Sequence, residues 1–185
     1  MIEEEKLIGP HGGYRNLLSF QTATLIYDLT VEFSRTYMTY KTNMSPRTVD
    51  QMIQAARSGR QNIAEGSQAS GTSKKTELKL MNVARASLAE LLLDYEDFLR
   101  QRNLPLWGKN QARAQEIRAL AYKSNRSNET YKTYMKEPGS AANTLICLIH
   151  QANYLLDRQI VALEKVFLEE GGFTERMYRI RKRAQ

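Results

Sequence analysis

The stretch QAARSGRQNIAEG, residues 54–66, decides how this chain folds. Most of its residues favour helix, and the apolar side chains around it recur at the spacing of one helical face. That face is formed by Val49, Met52, Ile53, Ala56 and Ile63. Gly59 and Arg60 interrupt the pattern, because one removes side-chain volume and the other adds a charge. A helix that depends on packing needs a neighbour that explains both interruptions.

Gly59 and Arg60 therefore predict two specific contacts. A glycine without a side chain leaves a gap, so we expect a neighbouring helix or subunit to come close at Gly59. An arginine buried alone would cost on the order of several kcal/mol. Arg60 must therefore reach a carboxylate, a subunit interface or an anion. We predict that it is paired, with Glu65, Glu77 and Glu90 as the candidate carboxylates.

The whole chain has the composition of an all-α protein. Its 185 residues include only ten glycines and four prolines, and no alternating β-branched runs compete with the helical segments. At 42% hydrophobic residues, the chain can bury one substantial core but not several. We expect one main domain.

Four long helices are predicted, over residues 14–40, 46–66, 73–102 and 141–170. Ser45 precedes Pro46 as a helix cap and a first-turn proline. The apolar residues of the first helix are Leu18, Leu25, Leu29 and Phe33. Those of the third are Met81, Ala84, Leu88, Leu91, Tyr95 and Phe98. This three-and-four spacing predicts the seam of an antiparallel up-down four-helix bundle.

The fourth helix and the segments around it complete the predicted organisation. Two adjacent apolar seams, which include Ala162, predict that the fourth helix contacts more than one neighbour. The bundle domain covers residues 1–171 and contains a long insert, residues 104–140. The insert is expected to form a short helix near 109–122 and a mobile polar segment over 124–140. Residues 172–185 form a basic tail.

Positive charge is concentrated in the insert and the tail. The net charge of the chain is +7, and residues 104–140 contribute +4, from seven cations and three carboxylates. Residues 172–185 contribute another +4, from five cations and one carboxylate. The remainder is nearly neutral, so the basic excess indicates an anionic partner more than a packing role.

The start of the chain and its single cysteine indicate where it works. No apolar run reaches the roughly 20 residues that span a bilayer, and the first residues lack the apolar core of a signal peptide. We expect a soluble, cytoplasmic protein with no membrane partner. Cys147 lies in the apolar run LICLI and is interpreted as a small buried hydrophobic residue.

The usual signatures of catalytic or metal sites are missing from the sequence. A di-metal bundle needs Glu-x-x-His pairs, and neither of the two histidines completes one. Cys147 and His150 have no second cluster for zinc, so His150 is expected to be hydrogen-bonded at the core edge. Glu90, Asp94 and Asp97 could bind a cation or act as acid and base, but a solvated or interface face is favoured. We expect a protein with no metal, no cofactor and no catalytic residues.

Three groups of basic residues are candidates for nucleic-acid contacts. The tail interleaves aromatic and apolar residues with Arg176, Arg179, Arg181, Lys182 and Arg183, a mixture that can meet phosphates and stack on bases. Its alternative is a frayed, solubilising terminus. The other candidates are Lys74, Lys75 and Lys79 at the start of the third helix, and Arg57 and Arg60 in the second. The alternative for the three lysines is that they are ordinary surface residues.

Two quoted segments resemble a known family. AARSGRQNIAEG, followed by TELKLMNVARASLAELLLDYEDFL, is similar to the bundle proteins encoded by intervening sequences in bacterial 23S ribosomal RNA genes. The same family includes the accessory variability protein of diversity-generating retroelements. The residues that match its pattern are Ala55, Ala56, Ser58, Asn62, Ile63, Ala64, Glu65 and Gly66, then Ala84, Ser87, Leu88 and Glu90.

The resemblance implies an antiparallel four-helix bundle that assembles into a ring with a positive surface, a pentamer in characterised members. Asn62, Glu65, Gly66, Ser87 and Glu90 are then expected to be structural, with Asn62 and Glu65 satisfying polar groups where the second helix turns into the third. Gly59, the longer insert and the basic tail depart from the family pattern. The departures indicate a function carried by the added parts.

Two functions are consistent with the sequence. The first is a non-catalytic, oligomeric protein that binds nucleic acid, with RNA or a ribonucleoprotein favoured over DNA. The second is a protein-interaction adaptor, for example an accessory protein of a reverse transcriptase, with no direct nucleic-acid role. The basic insert, the basic tail and the resemblance favour the first.

Overall fold

A computed structural model describes residues 7, 8, 10–38, 45–121, 123 and 127–183. The chain is all-α, with helices packed against one another around one core and no strand in these residues. The α-helices are α1 (Leu18–Tyr37), α2 (Pro46–Ala69), α3 (Lys74–Gln101), α4 (Ala112–Leu120), α5 (Asn128–Tyr131), α6 (Pro138–Glu170) and α7 (Phe173–Arg183). Short 3₁₀ turns cover Tyr14–Asn16 and Tyr134–Lys136.

The four long helices form a closed circuit of neighbours. The helix α1 packs against α2 and α6, and α3 also packs against α2 and α6. Each long helix therefore buries side chains against two others. The short helix α4 lies against α6, outside the circuit.

Capping side chains set the beginnings of α2 and α3. The Ser45 hydroxyl accepts a hydrogen bond from the Thr48 amide at 3.2 Å, ahead of Pro46 at the first helical position. The Ser73 hydroxyl accepts from the Thr76 amide at 3.1 Å. Both helices begin within one residue of the predicted positions, because side-chain oxygens satisfy otherwise unpaired amides there.

Other helix boundaries differ from the predicted ones. A 3₁₀ turn precedes α1, and residues 39 and 40 of the predicted first helix lie outside the described residues. The helix α2 continues past Gly66 to Ala69, and α6 begins three residues before 141, at Pro138. Gly66 does not end its helix because it serves a contact instead: a Cβ there would lie 3.0 Å from Met81 Cε.

The core is centred on the predicted seam of α3. All six seam residues are buried, so this part of the periodicity prediction is confirmed. The Phe33 ring meets the Tyr95 and Phe98 rings edge to face, with centroids 5.1 and 4.9 Å apart. The Tyr95 hydroxyl donates to Thr30 Oγ1 at 3.0 Å, which satisfies a buried donor.

Two residues predicted on apolar faces are exposed. Leu18 begins α1 and is exposed, although the rest of its predicted face is buried. Ala162 is also exposed, because α6 buries no side chain after Ile160. Ser19 Oγ of α1 donates to Gln159 of α6, so the last ten residues of α6 extend beyond the first turn of α1.

The prediction that residues 124–140 are mobile is wrong for 127–140, and 124–126 lie outside the described residues. Ser127 and Thr130 form a reciprocal capping box, and Tyr131 is buried in the core. The Tyr37 hydroxyl donates to the carbonyl of Met135, itself buried, at 2.5 Å. Two apolar anchors hold this polar segment against the bundle.

A buried amide joins the insert to α6. Asn143 Oδ1 accepts from the Trp107 amide at 2.7 Å, and its side-chain nitrogen donates to the Pro105 carbonyl at 2.9 Å. The short helix predicted near 109–122 is present as α4. The tail is also helical: Gly171 has φ +74°, and the Gly172 amide donates to Glu175 Oε2 at 2.9 Å at the start of α7.

Across the described ranges, no helix combines the length and the apolar character needed to cross a bilayer.

Candidate nucleic-acid interface

The structure brings two of the three predicted basic groups to one end of the fold. Arg85, in the first half of α3, donates to Asp157, in the second half of α6. Leu7 and Ile8 join α7 to the turn before α3, since Arg176 donates to the Leu7 carbonyl and a Cβ at Gly71 would lie 3.2 Å from Ile8 Cγ2. The beginnings of α3 and α7 therefore lie at the same end. We call the basic end the surface formed by Lys74, Lys75 and Lys79 of α3 and by Arg176, Arg179, Arg181, Lys182 and Arg183 of α7.

The N-terminal segment connects the two parts of the basic end. The Gly12 amide donates to the Ser67 carbonyl near the end of α2 at 3.0 Å. A Cβ at Gly71, in the turn between α2 and α3, would lie 2.9 Å from His11 Cγ. On the other side, Arg176 donates to the Leu7 carbonyl at 3.5 Å, a long hydrogen bond. The segment touches the turn before α3 as well as α7.

Lys74 differs from the other two lysines of α3. Its ammonium group donates to Glu77 Oε2 at 3.2 Å, and Glu77 is buried. Burial raises the pKa of the Glu77 carboxyl, and the charge and hydrogen bond of Lys74 oppose that rise. Lys74 thus neutralises a buried carboxylate, whereas Lys75 and Lys79 are exposed.

The helix α7 presents its cations to solvent. No side chain of α7 is buried. Arg179 donates to the Glu170 carbonyl at 3.0 Å, which joins α7 to the end of α6. Arg181, Lys182 and Arg183 are exposed, and Tyr178, which precedes them on α7, is 67% exposed. Exposed cations beside an exposed aromatic ring can bind phosphates and stack on an unpaired base.

Arg57 and Arg60 are not part of the basic end. Arg57 is exposed on α2, and Arg60 lies about 10 Å along the helix from the Ser67 contact. The guanidinium carbon of Arg60 stands 4.3 Å from the centroid of the Tyr27 ring on α1.

The predicted carboxylate partner of Arg60 is therefore wrong. Within the described residues, no acidic side chain lies within ion-pair distance of Arg60. Glu65 and Glu90 are exposed, and Glu77 is paired with Lys74. A ring face can stabilise a half-buried guanidinium without a counter-charge, and Arg is the cation most often found there.

The residues around Gly59 form a close contact between α2 and α3. A Cβ at Gly59 would lie 2.7 Å from Leu88 Cδ2, so the predicted close approach of a helix is confirmed, within this chain. Ser58 Oγ lies 2.9 Å from Ser87 Oγ, which bridges the two helices. Asn62 donates to the Ser58 carbonyl at 2.9 Å, within α2, rather than to the turn.

Glu90, Asp94 and Asp97 form the acidic face of α3. Glu90 and Asp97 are exposed, whereas Asp94 is partly buried. Burial, reinforced by the nearby charges of Glu90 and Asp97, raises the pKa of Asp94 to about 6. Asp97 pairs with Arg100 at 2.8 Å. Among the residues that the structure describes, no group of three or more His, Cys, Asp or Glu could hold a metal ion.

Cys147 and His150 are placed differently from their predictions. Cys147 packs against the core but is only partly buried, and burial raises the pKa of its thiol. His150 is exposed on α6 rather than enclosed at the core edge. The two residues lie about one helical turn apart on α6.

No protein-family model, no curated protein and no solved structure matches the chain.

Sequence patterns missed three features of the structure. Tyr27 gave no local signal, because its partner Arg60 lies on another helix. The contact of Leu7 with Arg176 of α7 joins the two ends of the sequence and has no local pattern. A third feature, exposed apolar residues seven positions apart on α6, is visible in the sequence once the inward seams are assigned.

Proposed function

We propose that this chain is a non-catalytic, oligomeric nucleic-acid-binding protein whose target is single-stranded RNA, free or within a ribonucleoprotein. One observation carries the proposal: the N-terminal segment contacts both the turn that precedes the lysines of α3 and Arg176 of α7, more than 90 positions further along the chain. Cations gathered on one surface raise the local potential toward a polyanion.

The proposed scaffold is an antiparallel up-down four-helix bundle. Two pairs of contacts support this arrangement for α2 and α3, since Ser58 meets Ser87 while Gly66 meets Met81. Two further contacts support it for α1 and α6, since Ser19 meets Gln159 of α6 while Tyr37 meets Met135, in the 3₁₀ turn just before α6. Residue numbers rise on one helix as they fall on its neighbour. Only four residues join α2 to α3, which suits antiparallel helices.

Exposed side chains at the basic end suit unpaired RNA better than a duplex. Arginine and lysine bind phosphate oxygens irrespective of sequence. Tyr178 offers a ring face on which an unstacked base can stack, and a stacked duplex does not present such a base. Binding is expected to be dominated by phosphates and to weaken steeply with salt.

The test is a titration of a labelled single-stranded RNA at several salt concentrations. The double variant Arg181→Gln/Lys182→Gln should weaken binding about tenfold or more at low salt and lower the salt slope by about 1.4. Each lost phosphate contact removes about 0.7 from the slope for a single strand. Tyr178→Ala should weaken binding with little change in slope.

A matched control removes two charges from the other end. Arg47 begins α2, and Lys136 lies beside the contact between Met135 and Tyr37, so both are remote from α7. Arg47→Gln/Lys136→Gln lowers the net charge equally and should change RNA affinity less than about threefold. Equal losses in the two double variants would contradict a localised site. No binding at low salt, or binding indifferent to salt, would reject the function.

The adaptor alternative predicts a different result. A protein partner retained in stoichiometric amount from nuclease-treated lysate, together with no affinity for RNA, would replace the proposal.

A further inference from the structure

The outward face of α6 carries an apolar stripe. Tyr154, Val161 and Leu168 are 61%, 64% and 83% exposed. They are seven residues apart, so they lie on one side of the helix at intervals of about 10 Å. We call these three residues the α6 stripe.

The core does not account for the α6 stripe. The inward seam of α6 includes Ala152, Leu156 and Ile160, all buried. Single exposed apolar residues are common on protein surfaces. Three at heptad spacing on the longest helix match one line of a helix–helix seam instead.

Charged residues flank the α6 stripe in a regular way. At 100° per residue, Arg158 and Lys165 lie about 40–60° to one side of Val161. Asp157 and Glu164 lie about 40–60° to the other side. All four are exposed. One edge of the stripe is therefore cationic and the other anionic.

We propose that the α6 stripe pairs with the same stripe of a second copy of this chain, with the two α6 helices parallel and in register. A symmetry axis parallel to the helices then places the cationic edge of each copy against the anionic edge of the other. Arg158 meets Asp157 of the second copy, and Lys165 meets Glu164. An antiparallel pair would place like charges together, which is unfavourable.

Existing contacts of these charges leave room for the pairing. Asp157 accepts from Arg85 through Oδ1, so its second oxygen can accept another donor. Lys165 lies 3.8 Å from Glu169 in an exposed pair, which contributes little and can be exchanged. Arg158 stands 6.0 Å from the centroid of the Tyr154 ring, at the edge of the stripe.

A parallel pair has a consequence for RNA that rests on the proposed function. Both copies would present α7 at the same end, which doubles the basic end. A strand long enough to contact both copies would bind more tightly through the raised effective concentration of the second site. An antiparallel pair would place the two basic ends at opposite ends of the dimer.

Disulfide formation between single cysteines tests the orientation. Cys147→Ser first removes the native thiol. Tyr154→Cys and Leu168→Cys, each introduced singly and oxidised in RNA-free buffer, should each give a covalent dimer, because in-register residues face their own copies. Crosslinking only in a mixture of the two variants would show antiparallel pairing and overturn the proposal. Failure of every combination would overturn it too.

Analytical ultracentrifugation without RNA tests the surface independently. Leu168→Glu and Val161→Glu should weaken self-association about tenfold or more, because they place charge in the seam. Leu93→Glu is the matched control, since Leu93 on α3 is 62% exposed and lies outside the stripe. Equal effects from all three, or a monomeric unmodified chain at about 100 μM, would reject the pairing. Neither experiment depends on RNA, so its failure is distinguishable from failure of the proposed function.

Discussion

The α2–α3 pair and the region from the end of α6 through α7 use side-chain volume in opposite ways. At Gly59 and Gly66 the first pair gives up side chains, and Leu88 and Met81 of α3 fill the space. The second region keeps large apolar side chains, including Leu168, but buries none of them fully. The first region is closed within the chain, and the second is open to solvent.

The difference separates packing from recognition. A glycine in a helix costs about 1 kcal/mol relative to alanine, so a close contact must offset that cost. An exposed apolar residue at regular spacing gains nothing until another surface covers it. A glycine within a helix therefore indicates a close contact inside the chain. Exposed apolar residues at regular spacing indicate a contact with another molecule.

The largest expected effect is overpacking of the α2–α3 contact. Gly59→Leu should lower the free energy of unfolding by about 2–3 kcal/mol, because even a Cβ there would lie 2.8 Å from Leu88 Cγ. Urea denaturation measures the loss. Combining it with Leu88→Ala should give less than the sum of the two single losses.

Gly139→Ala is the matched control for that prediction. Gly139 also lies in a helix, but a Cβ there would meet Leu104 at 3.7 Å, an ordinary contact. The free energy of unfolding of this variant should be unchanged or higher. If Gly59→Leu were as harmless as Gly139→Ala, the α2–α3 contact would not be closed.

A smaller effect is expected where α1 covers Arg60. Tyr27→Leu keeps the apolar cover but removes the ring face, and it should lower the free energy of unfolding by about 0.5–1 kcal/mol. A double-mutant cycle with Arg60→Gln isolates the interaction. Additive losses would show that the 4.3 Å stacking contributes no coupling energy.

Asp94 should make the free energy of unfolding depend on pH. Its folded pKa of about 6 lies above the ordinary value of 3.8, so the folded protein holds this proton more tightly. The resulting stability is complete below about pH 3.8 and is lost as the pH rises through 6. At pH 7.5 the ionised carboxylate is unfavourable. Asp94→Asn should therefore stabilise the protein there by less than about 1 kcal/mol, since water screens a half-exposed group.

Urea denaturation at pH 5 and at pH 7.5 measures this difference, which should shrink at the lower pH as Asp94 becomes neutral. Asp50→Asn, which removes an exposed carboxylate on α2, is the charge-matched control. A gain independent of pH for Asp94→Asn would contradict the assignment to its protonation.

The smallest effect on stability is expected from removing the open region. A chain ended at Gly171 loses α7, which buries no side chain. Its free energy of unfolding should change by less than about 0.5 kcal/mol, whereas its RNA affinity should fall. A large loss of stability would show that α7 is part of the core.

Local periodicity predicted the closed region better than the open one. The six seam residues of α3 follow a helical repeat, and Gly59 stands out because it breaks one. Ser45 and Ser73 act through amides three residues away, so their capping is also a local signal. These features depend on spacing along a single helix.

Contacts between distant segments explain what the sequence did not predict. The sequence suggested a carboxylate partner for Arg60, because charged residues can be identified from a sequence. The position of the Tyr27 ring over Arg60 cannot be identified in that way. Tyr131 was overlooked as an anchor because polar neighbours surround it in the chain. The basic residues of α7 were found from composition, but the contact of Arg176 with Leu7 depends on the whole fold.

Hydrogen–deuterium exchange of the full chain, with and without saturating single-stranded RNA, tests the central claim most directly. Amides of α7 are expected to exchange quickly in the free protein, because this helix buries no side chain. RNA should slow exchange in α7 and around Lys75 and Lys79, and leave the α2–α3 contact at Gly59 unchanged. Slowing confined to α4, or no slowing in α7 when RNA is bound, would contradict the account.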